Sequence, residues 1–115
     1  MLPSGDMLET AVENQIWRAL ADPVRRAILD QLAEGPKTTG DLVAYFDHLS
    51  RTAVMKHLEI LVSAGIVIVA RSGRTRWNHI NPVPLLNVCE RWLTGHTKRM
   101  SKALQQLKRI TELAP

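Results

Sequence analysis

Apolar residues recur every three or four positions along most of this chain, the spacing that places them on one face of an α-helix. In the first such segment, Leu8, Val12, Ile16 and Leu20 follow one another at intervals of four. The same spacing continues in four further segments, so the pattern predicts five helices. They are expected over residues 8–21, 23–34, a short segment beginning at Thr38 or Thr39, 51–64 and 85–113.

Capping residues mark where three of these helices begin. Asp22 precedes Pro23, which the first turn of a helix tolerates because its missing N–H has no intrahelical partner there. Thr38 and Asp41 stand at the spacing of a capping box, and Ser50 precedes the fourth helix. These residues predict the starts of the second, third and fourth helices.

The period of the sequence changes after Gly65. Apolar and β-branched residues precede the dipeptide Ser72-Gly73. After it, Arg or Asn alternates with Thr, Trp or His over residues 74–79. This pattern predicts two strands joined by a tight turn. Only a short connection separates the third and fourth helices, as in a helix-turn-helix. The order of elements predicts a mainly α-helical winged helix-turn-helix with a β-hairpin wing. We expect residues 8–113 to form this domain and residues 1–7 to be a flexible N-terminus.

The 115-residue chain has a formal net charge of +4, but its charges are unevenly distributed. Residues 1–50 contain four Lys and Arg against eight Asp and Glu, whereas residues 51–109 contain eleven against two. A basic half on a small domain is typical of a protein that binds a polyanion, most often nucleic acid. Since the chain has no membrane-spanning apolar run, no secretion signal and a single cysteine, we expect a cytoplasmic protein.

The predicted fourth helix carries a chemically mixed polar face. Arg51, Thr52, Met55 and Lys56 lie opposite its apolar stripe and close to its N-terminal end. Arginine and lysine can bind guanine or phosphate, threonine can bind several bases, and methionine can contact a thymine methyl group. This face predicts contacts with base edges in the major groove of DNA. A solvated face with an incidental methionine is the alternative.

Three arginines surround the predicted turn of the hairpin, namely Arg71, Arg74 and Arg76. Such a turn can lie along the phosphate backbone or enter the minor groove, where arginine is favoured. The alternative is a charged edge strand that discourages aggregation. Thr39, near the start of the third helix, is a further candidate for a phosphate contact, with helix capping as its alternative role.

Apolar stripes on the first and last helices are not needed to build a helix-turn-helix. Pairing of two chains across a twofold axis would bury them and would place two fourth helices about 34 Å apart, one turn of DNA. We therefore expect a homodimer that binds an imperfect palindromic operator in double-stranded DNA, although these stripes could instead cover the chain's own core. The predicted interface residues are Leu8, Val12, Ile16, Leu86, Cys89, Trp92 and Leu93.

Four segments of the chain carry a family pattern: "LADPVRRAILDQLAEGPKTTGDL", "LSRTAVMKHLEILVSAGIV", "RSGRTRW" and "NPVPLLNVCERWL". Together they resemble the ArsR-type (arsenic-repressor-like) winged helix-turn-helix transcriptional regulators. The resemblance covers about residues 14–95, and its most specific element is Ser50 followed by His57-Leu58 and Gly65. It implies a homodimer that represses promoters.

The resemblance also implies roles for individual residues. It places Arg51, Thr52, Met55 and Lys56 at base-contacting and backbone-contacting positions of the DNA-recognition helix. Many relatives have a small hydroxyl residue in place of Met55, so the preferred DNA sequence does not follow from the resemblance. His57 is a further family feature, for which we expect helix packing or a DNA backbone contact.

Metal-sensing relatives carry a cysteine pair in the third helix or His and carboxylate ligands along the last one. The third helix here has neither Cys nor His, and Cys89 and His96 on the last helix stand about 10 Å apart, too far to chelate one ion alone. We expect a member without a metal site or cofactor, in which Cys89 is a buried packing residue. A metal- or redox-responsive repressor is one alternative.

Sequence motifs do not favour catalysis. The chain shows no glycine-rich phosphate loop, nucleophile elbow or paired carboxylates, so we do not expect an enzyme. A winged-helix module that binds an acidic protein surface remains the second alternative to a DNA-binding regulator.

Overall fold

The structure is a computed structural model that describes the backbone of residues 5–113 and the side chains of residues 8–93 and 99–113. Within this part of the chain, five helices and three strands confirm the predicted winged helix-turn-helix. In chain order they are α1 (Gly5–Leu20), α2 (Pro23–Ala33), β1 (Lys37–Thr38), α3 (Thr39–Tyr45), α4 (Arg51–Ser63), β2 (Val67–Ser72), β3 (Thr75–Ile80) and α5 (Val83–Leu113).

Helix α1 begins earlier than the apolar pattern predicted. Its first residue is Gly5, so residues 5–7 of the predicted flexible N-terminus are helical. Residues 1–4 of that prediction lie outside the described residues. The extent of the domain, residues 8–113, stays a prediction.

The predicted capping residues are confirmed at three helices. The Asp22 carboxylate accepts hydrogen bonds from the backbone N–H groups of Val24 and Arg25, at 2.8 and 3.2 Å, at the start of α2. Thr38 and Asp41 form a reciprocal capping box before α3. The Ser50 hydroxyl accepts a hydrogen bond from the N–H of Ala53 at 3.1 Å. Each cap satisfies backbone donors that the first helical turn leaves without a partner.

The sheet has three antiparallel strands in the order β1-β3-β2, one more than the predicted hairpin. Lys37 pairs with Asn78 and Thr38 with Trp77, so the chain just before α3 joins the edge of the wing. No local pattern predicts β1, because its two residues pair with a strand some forty residues away.

Apolar side chains of α1, α2, α3, α4 and β2 form the core of the residues before Pro84. The Val62 side chain, which follows the helical spacing of the buried residues of α4, is nevertheless 37% exposed. It lies about 80° around α4 from Val54, beyond the face that the core covers. The fully buried side chains are Ile16, Ile28, Leu32, Leu42, Val54, Leu58, Leu61, Ile66, Val67 and Asn78.

The chain divides into two compact units between Pro84 and Leu85. The second unit consists of the rest of α5, where Val88 is buried and every described side chain of residues 99–113 is exposed. No helix among the described residues combines the length and apolarity needed to cross a membrane.

Candidate nucleic-acid interface

The outer face of α4 presents the side chains that the sequence predicted. Arg51, Thr52 and Lys56 are exposed, and Met55 is half-buried beside them. The Ser50 cap fixes the start of the helix at this end, since its hydroxyl binds the N–H of Ala53. These side chains therefore project from a rigid first turn and a half, a geometry that suits entry into a DNA groove.

His57 points away from this face. Its side chain is 21% exposed, and its Nδ1 atom lies 3.3 Å from Nη1 of Arg25 and 4.0 Å from Oδ1 of Asp22, both on α2 or its cap. Of the two roles expected for His57, this placement matches helix packing. No sequence pattern predicted that Arg25 and Asp22 would lie next to His57.

The wing turn consists of Gly73 and Arg74, because Ser72 pairs with Thr75 on either side of it. Gly73 has a φ of +60°, a conformation that glycine adopts without the steric penalty of a side chain. Arg71 and Arg74 are exposed at this end of the hairpin, as expected. The tip can therefore approach a surface closely with two of its arginines.

Arg76 differs from the other two wing arginines. Its side chain is half-buried, and its Nε atom is buried without a hydrogen-bond partner among the described residues. This partial burial follows from the position of Arg76 on the inward face of β3, two residues before buried Asn78. Only the far end of its guanidinium is left for a ligand.

The register brings like charges together on the wing. Arg71 and Arg76 are directly opposite each other, so they share one face of the hairpin. No ion pair among the described residues includes Arg71, Arg74 or Arg76. Adjacent like charges repel each other, and an external anion placed between them would relieve that repulsion.

The structure corrects the predicted phosphate contact of Thr39. Its side chain is 5% exposed, and its Oγ1 accepts a hydrogen bond from Nδ2 of Asn78 at 3.2 Å. The same Asn78 amide donates to the carbonyl of Lys37, also at 3.2 Å. Thr39 therefore holds the wing to the start of α3, and its hydroxyl is turned away from solvent. An asparagine at an inward strand position was the available sequence signal for this link.

A shallow groove between α1 and α4 was missed by the sequence analysis. It has a volume of about 480 Å³ and is lined by Arg18 together with Lys56 and Glu59. Arg18 thus extends the basic surface of α4 onto α1. The sequence carried no signal for this placement, because the two helices are more than thirty residues apart.

Asp22 sits in a locally positive environment. Burial raises the pKa of its carboxyl, but hydrogen bonds from the backbone N–H groups of Arg25 and Val24, and the charges of His57 and Arg25, outweigh that effect and lower the pKa overall. Asp22 is therefore ionised at neutral pH, which strengthens its cap on α2.

The residues expected at a dimer interface fall into two groups. Ile16 is 2% exposed, so the structure places it in the core of its own chain and corrects that part of the prediction. Cys89, expected to be a buried packing residue, is exposed, because the apolar stripe around it on α5 is uncovered too. The remaining predicted interface residues are exposed apolar side chains: Leu8, Val12, Leu86, Trp92 and Leu93.

Metal ligands do not cluster in the described part of the molecule. No three His, Cys, Asp or Glu side chains described by the structure lie close enough to hold one metal ion. The side chain of His96, one of the residues weighed as a ligand, lies outside the described side chains.

Comparisons with known proteins place these features in a family. A helix-turn-helix domain model matches residues 20–70. Over 72 residues, the chain is 39% identical to the HTH-type transcriptional regulator Rv2034 of Mycobacterium tuberculosis, a match covering 63% of this chain and 66% of that protein, just under two thirds of its length. It is 35% identical, again over 72 residues, to the transcriptional repressor SdpR of Bacillus subtilis, covering 63% of this chain and 79% of that protein.

The fold has solved counterparts. The crystal structure of an ArsR family transcriptional regulator superposes with a TM-score of 0.69 and 33% identity, covering 88% of this chain and 97% of the other. Because the superposition covers 97% of that structure, the similarity includes both the helix-turn-helix and the wing. The chain belongs to the ArsR-type winged helix-turn-helix family of DNA-binding transcriptional regulators.

Proposed function

We propose that this chain is a homodimeric repressor that binds an imperfect palindromic operator in double-stranded DNA. Helix α4 enters the major groove through Arg51, Thr52, Met55 and Lys56, and the wing lies along the flanking backbone through Arg71, Arg74 and the outer end of Arg76. The protein acts in the cytoplasm, and it acts by binding, without catalysis. Repression is supported by the similarity to SdpR, which is named as a transcriptional repressor.

The observation that carries this proposal is that the cations of α4 and of the wing have no acidic partners among the described residues. No ion pair among the described residues includes Arg51 or Lys56 of α4 or any of the three wing arginines. By contrast, Lys37 pairs with Glu34 and Lys108 with Glu112. Cations that are exposed and not neutralised locally favour a polyanionic ligand, because binding releases the counterions of the phosphates.

Exposed apolar residues support the dimer. Leu8 and Val12 on α1 are 54% and 56% exposed, and Leu86 and Leu93 on α5 are 61% and 66% exposed. Exposed apolar side chains are costly in water, and packing against a second copy of the chain would bury them. A twofold pair would then present two α4 helices to two half-sites of a palindrome.

The proposal is tested by binding of the wild-type chain to the DNA upstream of its own gene, with unrelated DNA of equal length as the control. Fluorescence anisotropy at several salt concentrations gives both affinities, and sedimentation gives the oligomeric state. We expect a dimer that prefers the upstream DNA by at least 1,000-fold, with an affinity that falls steeply as salt rises.

Two results would contradict the proposal. Equal affinity for both DNA molecules would exclude a sequence-specific regulator. Binding to an acidic protein surface, with no measurable affinity for either DNA, would favour the protein-interaction alternative.

A further inference from the structure

Arg25 on α2 bonds to two other helices at once. Its Nε donates to the carbonyl of Ala19 at 2.8 Å, and its Nη2 donates to the carbonyl of Arg18 at 2.9 Å. These carbonyls lie in the last turn of α1, and that of Arg18 also accepts a hydrogen bond from the backbone N–H of Ala21 at 3.3 Å. The third donor, Nη1, lies 3.3 Å from Nδ1 of His57 on α4.

The contact with Arg25 orients the imidazole ring of His57. Arginine is always protonated and can only donate, so the Nδ1 atom that faces Nη1 acts as the acceptor. Asp22 lies 4.0 Å from the same Nδ1, beyond hydrogen-bond distance, so Arg25 is the partner that orients the ring.

We propose that Arg25 is a positioning residue for DNA recognition, which joins the C-terminus of α1 to the inner side of α4 through His57. The inference rests on the proposed function, since it assumes that α4 contacts bases and that α1 belongs to the dimer interface. His57 directly follows Lys56 on α4, so a bond that holds His57 also holds the helix that carries the DNA-facing side chains. Exposed Leu8 and Val12 lie on α1, so the guanidinium of Arg25 connects the helix that pairs the two chains with the helix that contacts DNA.

The planar arrangement of donors on the Arg25 guanidinium, and not its charge, is what allows it to join α1 to α4. Three acceptors on two helices require three donors in a fixed plane, which lysine cannot provide. Arg25→Lys therefore keeps the charge and removes the simultaneous bonds. Arg26→Lys is the matched control, because the one described bond of Arg26 runs from Nη1 to the carbonyl of Leu20 at 2.6 Å and a single ammonium can replace it.

The experiment measures the affinity of each variant for the upstream DNA and for unrelated DNA, and takes their ratio. We expect Arg25→Lys to lower this ratio by at least tenfold while its affinity for unrelated DNA and its salt dependence stay within twofold of wild type. Arg26→Lys should keep the wild-type ratio. A change in overall stability alone would lower both affinities together and leave the ratio unchanged.

Variants of His57 complete the test through a double-mutant cycle. His57→Asn keeps an acceptor near the position of Nδ1 and should stay within about threefold of the wild-type ratio, whereas His57→Leu should lower it as Arg25→Lys does. In the His57→Leu background, Arg25→Lys should have no further effect. If Arg25→Lys does not fold, the comparison of His57→Asn with His57→Leu decides the question, because both lack the imidazole and only the first accepts a hydrogen bond.

Each outcome has one meaning. A wild-type ratio in Arg25→Lys, equal ratios in the two His57 variants, or independent effects in the double variant would overturn the role of Arg25 and leave the proposed function intact. A ratio near one for the wild-type protein would instead contradict the proposed function itself. An NMR measurement that finds the proton of His57 on Nδ1 would also overturn the inference.

Discussion

The arginines of α2 and the arginines of the wing tip are the same residue type put to opposite uses. Arg25 and Arg26 both bind carbonyl groups at the end of α1, and Arg25 commits three of its donors inside the molecule. Arg71 and Arg74 are exposed on the hairpin and take part in no ion pair among the described residues. Both pairs contribute equally to the net charge, yet the α2 pair is bonded to its own chain and the wing pair is not.

This difference teaches that a count of basic residues overstates a binding surface. The two arginines of α2 act as C-terminal caps of α1, because they donate hydrogen bonds to its last carbonyl groups. Arg71 stands on a strand whose backbone groups are already paired, with Arg76 opposite it, and Arg74 lies in the exposed turn. Their placement favours a phosphate-bearing partner, whereas that of the α2 arginines favours stability.

The largest expected effect is on folding. Arg25→Ala should lower the free energy of unfolding by about 2–4 kcal/mol, because it removes three charged hydrogen-bond donors and leaves the Ala19 carbonyl without its partner. Arg74→Ala should change it by less than about 0.5 kcal/mol, as expected for an exposed residue. Urea denaturation followed by circular dichroism measures both. An equal decrease in unfolding free energy in the two variants would contradict the different roles assigned to the α2 and wing arginines.

The next effect is on specific binding. Arg51→Ala and Lys56→Ala should each weaken binding to the upstream DNA by about 1–3 kcal/mol if the residue contacts a base edge. Lys102→Ala on α5 removes the same charge from an exposed position outside the candidate surface and serves as the control. Anisotropy titrations at one salt concentration compare the three variants. Unchanged affinity in both α4 variants would exclude α4 as the DNA-contacting helix.

A smaller effect should appear in the salt dependence. Arg74→Ala should weaken binding to upstream and unrelated DNA alike, and it should reduce the slope of log affinity against log salt by about one. Lys108→Ala makes the same change in charge at a residue that already pairs with Glu112 at 4.0 Å. A slope that falls equally in both variants would mean that net charge, and not the wing, determines the salt dependence.

The smallest effect concerns the cap of α2. Because the folded-state pKa of Asp22 is lowered, its carboxylate contributes stability above the unfolded-state pKa, and this contribution is lost as pH falls through the folded-state value. Asp22→Asn should cost less than about 1 kcal/mol at pH 7, since asparagine is an equally good cap, and it should flatten the loss of stability below about pH 4. Unfolding free energies at pH 3 to 7 measure both. If the unfolding free energy of Asp22→Asn falls with pH as steeply as that of the wild type, Asp22 does not cause the loss of stability in acid.

Sequence patterns predicted the parts of the fold that depend on neighbours along the chain. Caps such as Asp22 and Ser50 act within three residues, and the stripe of Val54, Leu58 and Leu61 follows the helical period. The wing turn was predictable too, because Gly73 is needed for its positive φ. Each of these features requires only short-range geometry.

The features that sequence missed all depend on distant partners. Thr39 is buried and accepts a hydrogen bond from Asn78, which lies 39 positions later in the sequence. Arg25 contacts His57, which lies 32 positions later. Ile16 lies on the same helical stripe as Leu8 and Val12, yet it is buried and they are exposed. A periodic pattern identifies a face of a helix, but it does not tell which part of that face the core covers.

Site-specific crosslinking tests the central claim most directly. A photoreactive side chain placed at Thr52 on α4, in the wild-type background and with the upstream DNA bound, should crosslink to bases within two symmetric half-sites. The same group placed at Gln106 on α5 should give no base crosslinks. The account is contradicted if the bound protein yields crosslinks from the α5 position and none from the α4 position.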